Sequence, residues 1–223
     1  MKLLDAKHHQ IIHFSENKVQ VLVLERADIF VDFLQRFYGQ CQGQDENFIL
    51  SENEHTLSLE KEVEFVLNPV GISFQNKRIS VSLLREMGQA IDNVLMQDAL
   101  ILKNQILKFV NELCDMMPYD LECVLDLNLM DIVKAANVRI ETDGKTLCER
   151  LIQYVKIHSL LCRTKLLVFV NLKMYLSENE IFALYETAFY YKIYLLLVES
   201  VQRNRLEGEQ YHIIDADFCE INF

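Results

Sequence analysis

Three consecutive residues, Gly144-Lys145-Thr146, match the end of a P-loop, the turn that binds the phosphates of ATP. The full pattern, GxxxxGK[ST], begins with a glycine, and that position in this chain is Arg139. Glycine lets backbone N–H groups approach the phosphates closely, and the long side chain of an arginine obstructs that approach. The segment therefore predicts a turn before a helix, with Thr146 or Asp143 as the cap, rather than an ATP site.

A second segment, Gly71 to Arg78, matches other positions of the same pattern. Its first glycine and Lys77 are present, and it follows the apolar segment EFVLNPV. However, Asn76 replaces the second glycine, and Arg78 replaces the hydroxyl that binds magnesium. Asparagine can adopt a positive φ, but arginine cannot hold a metal ion. This segment also lacks the chemistry of a phosphate-transfer site.

A magnesium-dependent NTPase further needs a carboxylate at the end of a buried strand. The apolar segment LLVFV is followed by Asn171, and Glu199 is the alternative acid at a strand end. Hydrolase motifs of the GxSxG and HExxH types are absent from the sequence. The histidines in HHQIIH, His8, His9 and His13, lack a partner motif and predict a solvated hairpin. We therefore expect a protein that is not an enzyme.

The elements around these motifs predict an α/β fold. Ser177 and Glu180 have the spacing of a capping box that begins a helix between two of the apolar strands, and this order favours a right-handed βαβ unit and a mostly parallel sheet. Residues up to about Phe14 predict a small antiparallel appendage. The predicted strands are Val19–Glu25, Glu64–Val70, Leu166–Asn171, Ile193–Glu199 and Tyr211–Ile214, with a helix over Ala27–Tyr38.

The middle of the chain has a helical period instead. Apolar residues recur every three or four positions from Ile91 to Met117, which predicts one long amphipathic helix that ends at Pro118. The same period from Leu121 to Ala136 predicts a second helix that runs back. Together they form an antiparallel helical arm, or leg, at 91–136, inserted in an α/β head of residues 1–90 and 137–223. Such an arm exposes apolar surface, and this favours packing against another subunit.

The charges are segregated along the chain. The formal net charge is −11, and the acids cluster between Asp45 and Glu64. From Lys134 to Lys173, eight bases accompany three acids, a local charge of +5. A basic region on an acidic protein is typical of a surface that binds a polyanion, although charge alone also fits a solvated helix face.

Length and composition place limits on the class of protein. The 223 residues, 51% of them hydrophobic, suffice for one domain with an elaborate insertion. The six cysteines include no CxxC pair, so we expect reduced, half-buried or buried thiols. The start of the chain is too polar for a signal peptide, and no apolar run approaches the ~20 residues that cross a bilayer. We expect a soluble, cytoplasmic protein without a membrane partner.

Several segments, in order along nearly the whole chain, resemble the CRISPR-associated Csn2 family of type II-A systems. VRIET and FVN, which is followed by an acidic helix start, are the most specific pieces. The segments are VQVLVLERADIFVDFLQRFY (19–38), KAANVRIET (134–142), LLVFVNLKMYLSENEI (166–181), YLLLVES (194–200) and DADF (215–218).

The resemblance implies a homotetrameric ring whose subunits have a head resembling P-loop ATPases, without their catalytic residues, and a helical leg. It implies binding of double-stranded DNA ends in a basic central hole, calcium ions that steady the legs, and a role in spacer acquisition. The implied partners are the core CRISPR adaptation proteins and the RNA-guided nuclease. Four copies of one basic surface around a hole produce a strong local field, whatever the net charge of the chain.

Within this resemblance, Lys134 and Arg139 lie in the KAANVRIET block, and Arg163 and Lys165 precede the LLVFVN strand. Charge alone adds further DNA-binding candidates: Lys77, Arg78, Lys103, Lys108 and Lys145. Asp120, Glu122 and Asp126 lie in the turn between the leg helices and have the hard oxygen ligands that calcium prefers. This turn has fewer acids than the family pattern, and the same acids also suit a helix start.

Two other functions agree with the same residues. One is a nucleotide-hydrolysing or nucleotide-sensing switch on a P-loop-like fold. The other is a pure oligomeric scaffold that uses the arm as its interaction surface.

Overall fold

The computed structural model describes residues 1–44, 47–121, 127–141, 144–215, 217 and 220–222. This part of the chain forms two compact units. The first unit combines Met1–Phe74 with Thr142–Phe223, and the second is Gln75–Glu141. The predicted leg, 91–136, lies within the second unit, which also contains residues 75–90.

The described residues include ten strands and seven helices. The strands are β1 (Lys2–Asp5), β2 (Gln10–His13), β3 (Val19–Leu24), β4 (Phe48–Glu52), β5 (His55–Leu57), β6 (Val63–Val66), β7 (Leu166–Val170), β8 (Tyr194–Glu199), β9 (Glu209–Ile214) and β10 (Glu220–Asn222). The helices are α1 (Ala27–Cys41), α2 (Leu59–Glu62), α3 (Lys77–Asn93), α4 (Met96–Asp115), α5 (Leu129–Ala135), α6 (Leu147–Leu160) and α7 (Glu178–Tyr190).

The larger sheet of the first unit has the strand order β10-β9-β3-β8-β7-β6. Neighbouring strands are parallel, except that β10 is antiparallel to β9. All residues of β3 and β7 are buried, because both faces of these apolar strands are covered. The predicted α/β fold with a mostly parallel sheet is therefore confirmed.

The smaller sheet is antiparallel and has the order β2-β1-β4-β5. It confirms the predicted antiparallel appendage and enlarges it by two strands. The side chain of Arg36 in α1 fastens this sheet by two hydrogen bonds of 2.8 Å to the carboxylate of Asp5 in β1. His8, in the β1–β2 turn, lies 2.9 Å from the same carboxylate. Burial opposes ionisation of Asp5, but its hydrogen bonds to Arg36 and His8 outweigh burial and lower its pKa.

One hydrophobic core of the first unit lies between one face of the larger sheet, α1 and the smaller sheet. Phe33 and Phe37 of α1 stack with ring centroids 5.6 Å apart, and both contact the ring of Phe48 in β4 edge-on. Leu22 and Val168 belong to the same buried cluster. Aromatic residues at helical spacing in α1 therefore join the two sheets.

A local signal predicted the start of α7 correctly, whereas the predicted end of β6 was wrong. The capping box predicted at the start of α7 is present, and the Glu180 carboxylate accepts hydrogen bonds from the backbone N–H and the hydroxyl of Ser177. The predicted strand over 64–70 is too long. β6 ends at Val66, because the Asn68 side chain accepts hydrogen bonds from the N–H groups of Val70 and Gly71 and forms a 3₁₀ turn there.

The second unit corrects the predicted long helix. Instead of one helix from Ile91 to Met117, α3 ends at Asn93 and α4 runs from Met96 to Asp115. The apolar period continues through this break, which contains neither proline nor glycine, so periodicity alone did not reveal it. The predicted returning helix is α5, which covers seven residues. Part of that prediction, residues 122–126, lies outside the described residues.

Candidate nucleic-acid interface

In a sheet with this strand order, a nucleotide would bind at the carboxyl end of β3. From β3 the chain crosses to β6 on one side, whereas the connection from β8 reaches β9 on the other side. Ligands of open α/β sheets bind at such a switch point. Here only Glu25 and Arg26 separate β3 from α1, and the Arg26 guanidinium is paired with Asp28 at 2.6 Å. This turn is far shorter than a P-loop, which spans about eight residues.

Gly144-Lys145-Thr146 forms the start of α6. Thr146 is its N-cap, and the Thr146 hydroxyl accepts a hydrogen bond of 3.2 Å from the N–H of Glu149. The Glu149 carboxylate accepts hydrogen bonds from the N–H groups of Lys145 and Thr146, at 2.7 and 3.0 Å. The N–H groups that would face a phosphate in a P-loop are therefore already bonded to a carboxylate. The predicted cap at Thr146 is confirmed.

The other partial match is also a helix start. Asn76 has φ −70 and is the N-cap of α3, and its side chain accepts a hydrogen bond of 2.9 Å from Ile79 N–H. Because this φ is negative, Asn76 does not substitute for the second P-loop glycine. Lys77 is the first residue of the helix and is exposed.

The strand end that would supply a magnesium ligand carries a structural amide. Asn171 follows β7 in the left-handed conformation, φ 50, which asparagine tolerates. Its side-chain oxygen accepts hydrogen bonds from the N–H and the hydroxyl of Ser200, at 2.8 and 3.0 Å. Asn171 thus ties the carboxyl end of β7 to that of β8.

Glu199 at the end of β8 is a buried carboxyl group, with 2% of its surface exposed. Burial raises its pKa to about 7, although the backbone N–H of Lys173 donates a hydrogen bond of 3.1 Å to it. Glu199 therefore keeps its proton to a higher pH than an exposed glutamate does.

The structure removes Lys173 from the basic region predicted from charge. Its ammonium group is buried and lies 3.0 Å from the Glu209 carboxylate and 2.8 Å from the Tyr211 hydroxyl. The Tyr185 hydroxyl donates a further hydrogen bond of 2.6 Å to Glu209. This ion pair joins the turn after β7 to the first residue of β9, so Lys173 is a structural residue.

Three predicted bases of the first unit have different surroundings. Lys145 and Arg163 are exposed at the two ends of α6. Lys165 is half-buried and forms an ion pair with Glu52 of the acidic segment. The charge of Lys165 is therefore partly neutralised, whereas those of Lys145 and Arg163 face solvent.

Sequence reasoning did not select Lys156 as a site residue, but the structure places it between these two bases. Lys156 is exposed on α6, whereas Lys145 directly precedes its N-cap Thr146 and Arg163 follows its C-cap Leu161; we call these three bases the α6 row. α6 is about 21 Å long at 1.5 Å per residue, so Lys145, Lys156 and Arg163 span roughly that length. Glu149 interrupts the row, and its carboxylate is directed to the helix start.

The bases of the second unit lie on or beside its three helices. Lys77 and Arg78 begin α3, and Lys103 and Lys108 lie on α4. Lys108 lies 3.8 Å from Glu112 and Lys134 lies 2.9 Å from Asp131, so both have acidic neighbours. Arg139 is exposed and donates a hydrogen bond of 3.2 Å to the side chain of Asn137.

Comparison with known proteins decides the family. The sequence matches the model of the CRISPR-associated protein (Cas_Csn2) family over residues 40–218. The chain belongs to the Csn2 family. It is 22% identical to a CRISPR-associated protein Csn2 of Streptococcus agalactiae over 204 residues, which cover 89% of this chain and 88% of that protein. It is 28% identical to a Csn2 of Enterococcus faecalis over 123 residues, 52% of this chain and 54% of that protein.

Resemblance to the Csn2 family implies three calcium ligands, and the structure describes one of them. Asp120 is exposed, and Glu122 and Asp126 lie outside the described residues. Among the residues that are described, no group of three or more His, Cys, Asp or Glu side chains is arranged to hold a metal ion. In the same part of the chain, no helix combines the length and the apolar character needed to cross a membrane.

Proposed function

We propose that this Csn2-family protein is a non-enzymatic binder of double-stranded DNA ends that acts as a homotetrameric ring in CRISPR adaptation. The observation that carries the proposal is the family match over residues 40–218, which includes α6 and most of the larger sheet. The binding is independent of sequence, because contacts from lysine and arginine to phosphates carry no sequence information.

The absence of catalysis is supported by three positions where an NTPase needs specific groups. The β3–α1 turn contains only Glu25 and Arg26, Glu149 bonds to the N–H groups at the start of α6, and Asn171 bonds to Ser200. We propose that the head has a P-loop-like fold without a phosphate turn, and the position of β3 inside the mostly parallel sheet supports this.

DNA binding is supported by the exposed bases along α6. A row of about 21 Å corresponds to roughly six base pairs at 3.4 Å each. Lys145 and Arg163 lie at its ends and Lys156 lies between them. The bases of the second unit, above all Lys77 and Arg139, extend the set of proposed contacts.

Assembly from several copies is supported by α4. This 20-residue helix has no buried residue in the described structure. Leu102, Phe109 and Leu113 repeat at heptad-like spacing and are exposed, with 61% of Phe109 accessible. A second copy of this chain, which carries the same stripe, is the occupant that we propose.

Calcium and the protein partners rest on the family resemblance. We propose Asp120, Glu122 and Asp126 as calcium ligands, with backbone and water completing the six to eight oxygens that calcium needs. The core adaptation proteins and the RNA-guided nuclease are the proposed partners in spacer acquisition.

One experiment tests assembly, ligand and metal together. The solution mass is measured by light scattering with and without a linear 30-base-pair duplex, in calcium and in chelator. The proposal predicts four copies of the 26.2 kDa chain, and a larger particle when duplex is added. A monomer under all conditions, with no DNA-bound species at low salt, contradicts it.

A further inference from the structure

Three loops lead into the adjacent strands β3, β8 and β7 at the amino-terminal edge of the larger sheet, and each carries an exposed base. These bases are Lys18, Lys192 and Arg163, which we call the amino-edge surface. The loops before β8 and β7 are in contact, because Tyr194 N–H donates a hydrogen bond of 2.8 Å to Lys165 C=O. Lys18 and Lys192 also line one surface cavity of about 220 Å³. Three adjacent strands span about 10 Å at ~4.8 Å spacing, so the three loops are close neighbours.

Among the described residues, the three bases lack acidic partners, whereas five other bases of the first unit form ion pairs with acids. Within the described part of the chain, none of the three forms an ion pair. By contrast, Lys7 is paired with Asp32 and Lys165 with Glu52. Glu16 also lines the cavity, so the surface keeps an excess of two positive charges.

The backbone at two of these positions favours a smaller residue. Lys192 has φ 53 and Arg163 has φ 54, both in the left-handed region. Glycine or asparagine adopts this conformation more easily, and Asn17 does so, with φ 56, in the third loop. Folding therefore does not account for a lysine and an arginine at these positions, because glycine would fit the backbone better.

We propose that the amino-edge surface contacts the phosphodiester backbone of DNA. The proposal rests on the function proposed above and extends it to Lys18 and Lys192, which lie outside the basic segment of residues 134–173. A strip of about 10 Å matches two to three successive phosphates of one strand at 3.4 Å rise. Arg163 belongs to both sets of bases, because it also follows the end of α6. The excess of exposed, unpaired cations favours a polyanion over an apolar protein partner.

The test uses a triple variant in the full chain, Lys18→Ala, Arg163→Gly and Lys192→Gly. The two glycine substitutions relieve left-handed backbone conformations, so the melting temperature stays unchanged or rises. A matched control, Lys7→Ala, Arg26→Ala and Lys61→Ala, removes the same charge from elsewhere in the first unit. Dissociation constants for a linear duplex are measured at several salt concentrations.

Wild-type protein and the control should show the same salt dependence. The triple variant should bind roughly 10-fold or more weakly at low salt, and its log–log salt slope should fall by about three, one for each lost phosphate contact. If wild type binds duplex and the triple variant has the same dissociation constant and salt slope as the control, the proposal is overturned. An acidic protein would then be the better candidate for binding to the amino-edge surface. If wild type does not bind duplex at all, the proposed DNA function fails, and this inference fails with it.

Discussion

The Glu149 carboxylate accepts a hydrogen bond of 2.7 Å from the backbone N–H of Lys145, in the segment that most resembles a P-loop. Backbone hydrogen bonds lower the pKa of Glu149 below its ordinary value, so the carboxylate is ionised at neutral pH. The start of α6 thus already holds an anion that belongs to the chain. The N–H group of Lys145 is therefore not available to a phosphate.

The cap beside this contact gives a prediction about stability. Thr146→Ala removes the hydroxyl that accepts the Glu149 N–H and should lower the free energy of unfolding by about 1 kcal/mol. Thr146→Ser keeps the hydroxyl and is the control. Urea denaturation at neutral pH measures both variants. Equal stability of the alanine and serine variants would show that the cap contributes nothing.

ATP turnover is a second prediction. Purified protein with magnesium should release no phosphate above background, and Lys77→Ala or Lys145→Ala should leave that baseline unchanged. The physical reason is that the described chain offers no phosphate turn after β3 and no carboxylate at Asn171. Turnover that either substitution abolishes would revive the nucleotide switch.

The buried carboxyl group of Glu199 predicts a dependence of stability on pH. Its pKa is raised from 4.5 to about 7 in the folded chain, so its contribution is complete below pH 4.5 and lost as the pH rises through 7. The loss is about 3 kcal/mol at 1.36 kcal/mol per pKa unit. Glu199→Gln should therefore become progressively more stable than wild type between pH 5 and about 8.

Glu186→Gln, on the exposed face of α7, is the control for this effect. Its stability difference from wild type should vary little over the same pH range. A Glu199→Gln difference that is equally flat would contradict a raised pKa of the buried Glu199 carboxyl group. Denaturant midpoints at each pH provide the measurement.

The ion pair between Lys173 and Glu209 gives a larger effect. Lys173→Met leaves the buried Glu209 carboxylate without its cation and should cost about 3–5 kcal/mol. Lys156→Met, at an exposed position of α6, should change the stability by less than about 0.5 kcal/mol. Similar midpoints for the two variants would refute a structural role for Lys173.

The apolar stripe of α4 predicts a change in assembly. Phe109→Glu places a charge in the proposed contact between copies and should shift the solution mass towards smaller species. Asn111→Glu, on the same helix outside the stripe, should leave the mass unchanged. Circular dichroism checks that both variants keep their helices. A Phe109→Glu variant that retains the wild-type mass would exclude this stripe from the interface.

Elements set by local sequence were the most predictable part of the fold. The uninterrupted apolar runs located β3, β7 and β8 within one residue or two, and Ser177 with Glu180 located the start of α7. These signals depend on neighbours in the chain, and the sequence contains them directly.

Contacts between distant residues could not be predicted in the same way. Lys173 looked like a surface base until the structure paired it with Glu209, and Lys165 lies beside Glu52, 113 residues earlier in the chain. Likewise, only the strand order showed that the turn after β3 is the position where a nucleotide site would lie. The charges and motifs in a sequence show which residue types are present. Which side chains are buried, and which acid pairs with which base, depends on how the fold brings distant residues together.

We propose that several copies of this chain enclose the end of a DNA duplex. The most direct test compares binding of a linear duplex with binding of a covalently closed circle of the same sequence and length, at several salt concentrations. The account predicts tight, salt-sensitive binding of linear DNA and at least 10-fold weaker binding of the circle. Equal affinity for the circle and the linear duplex would contradict threading.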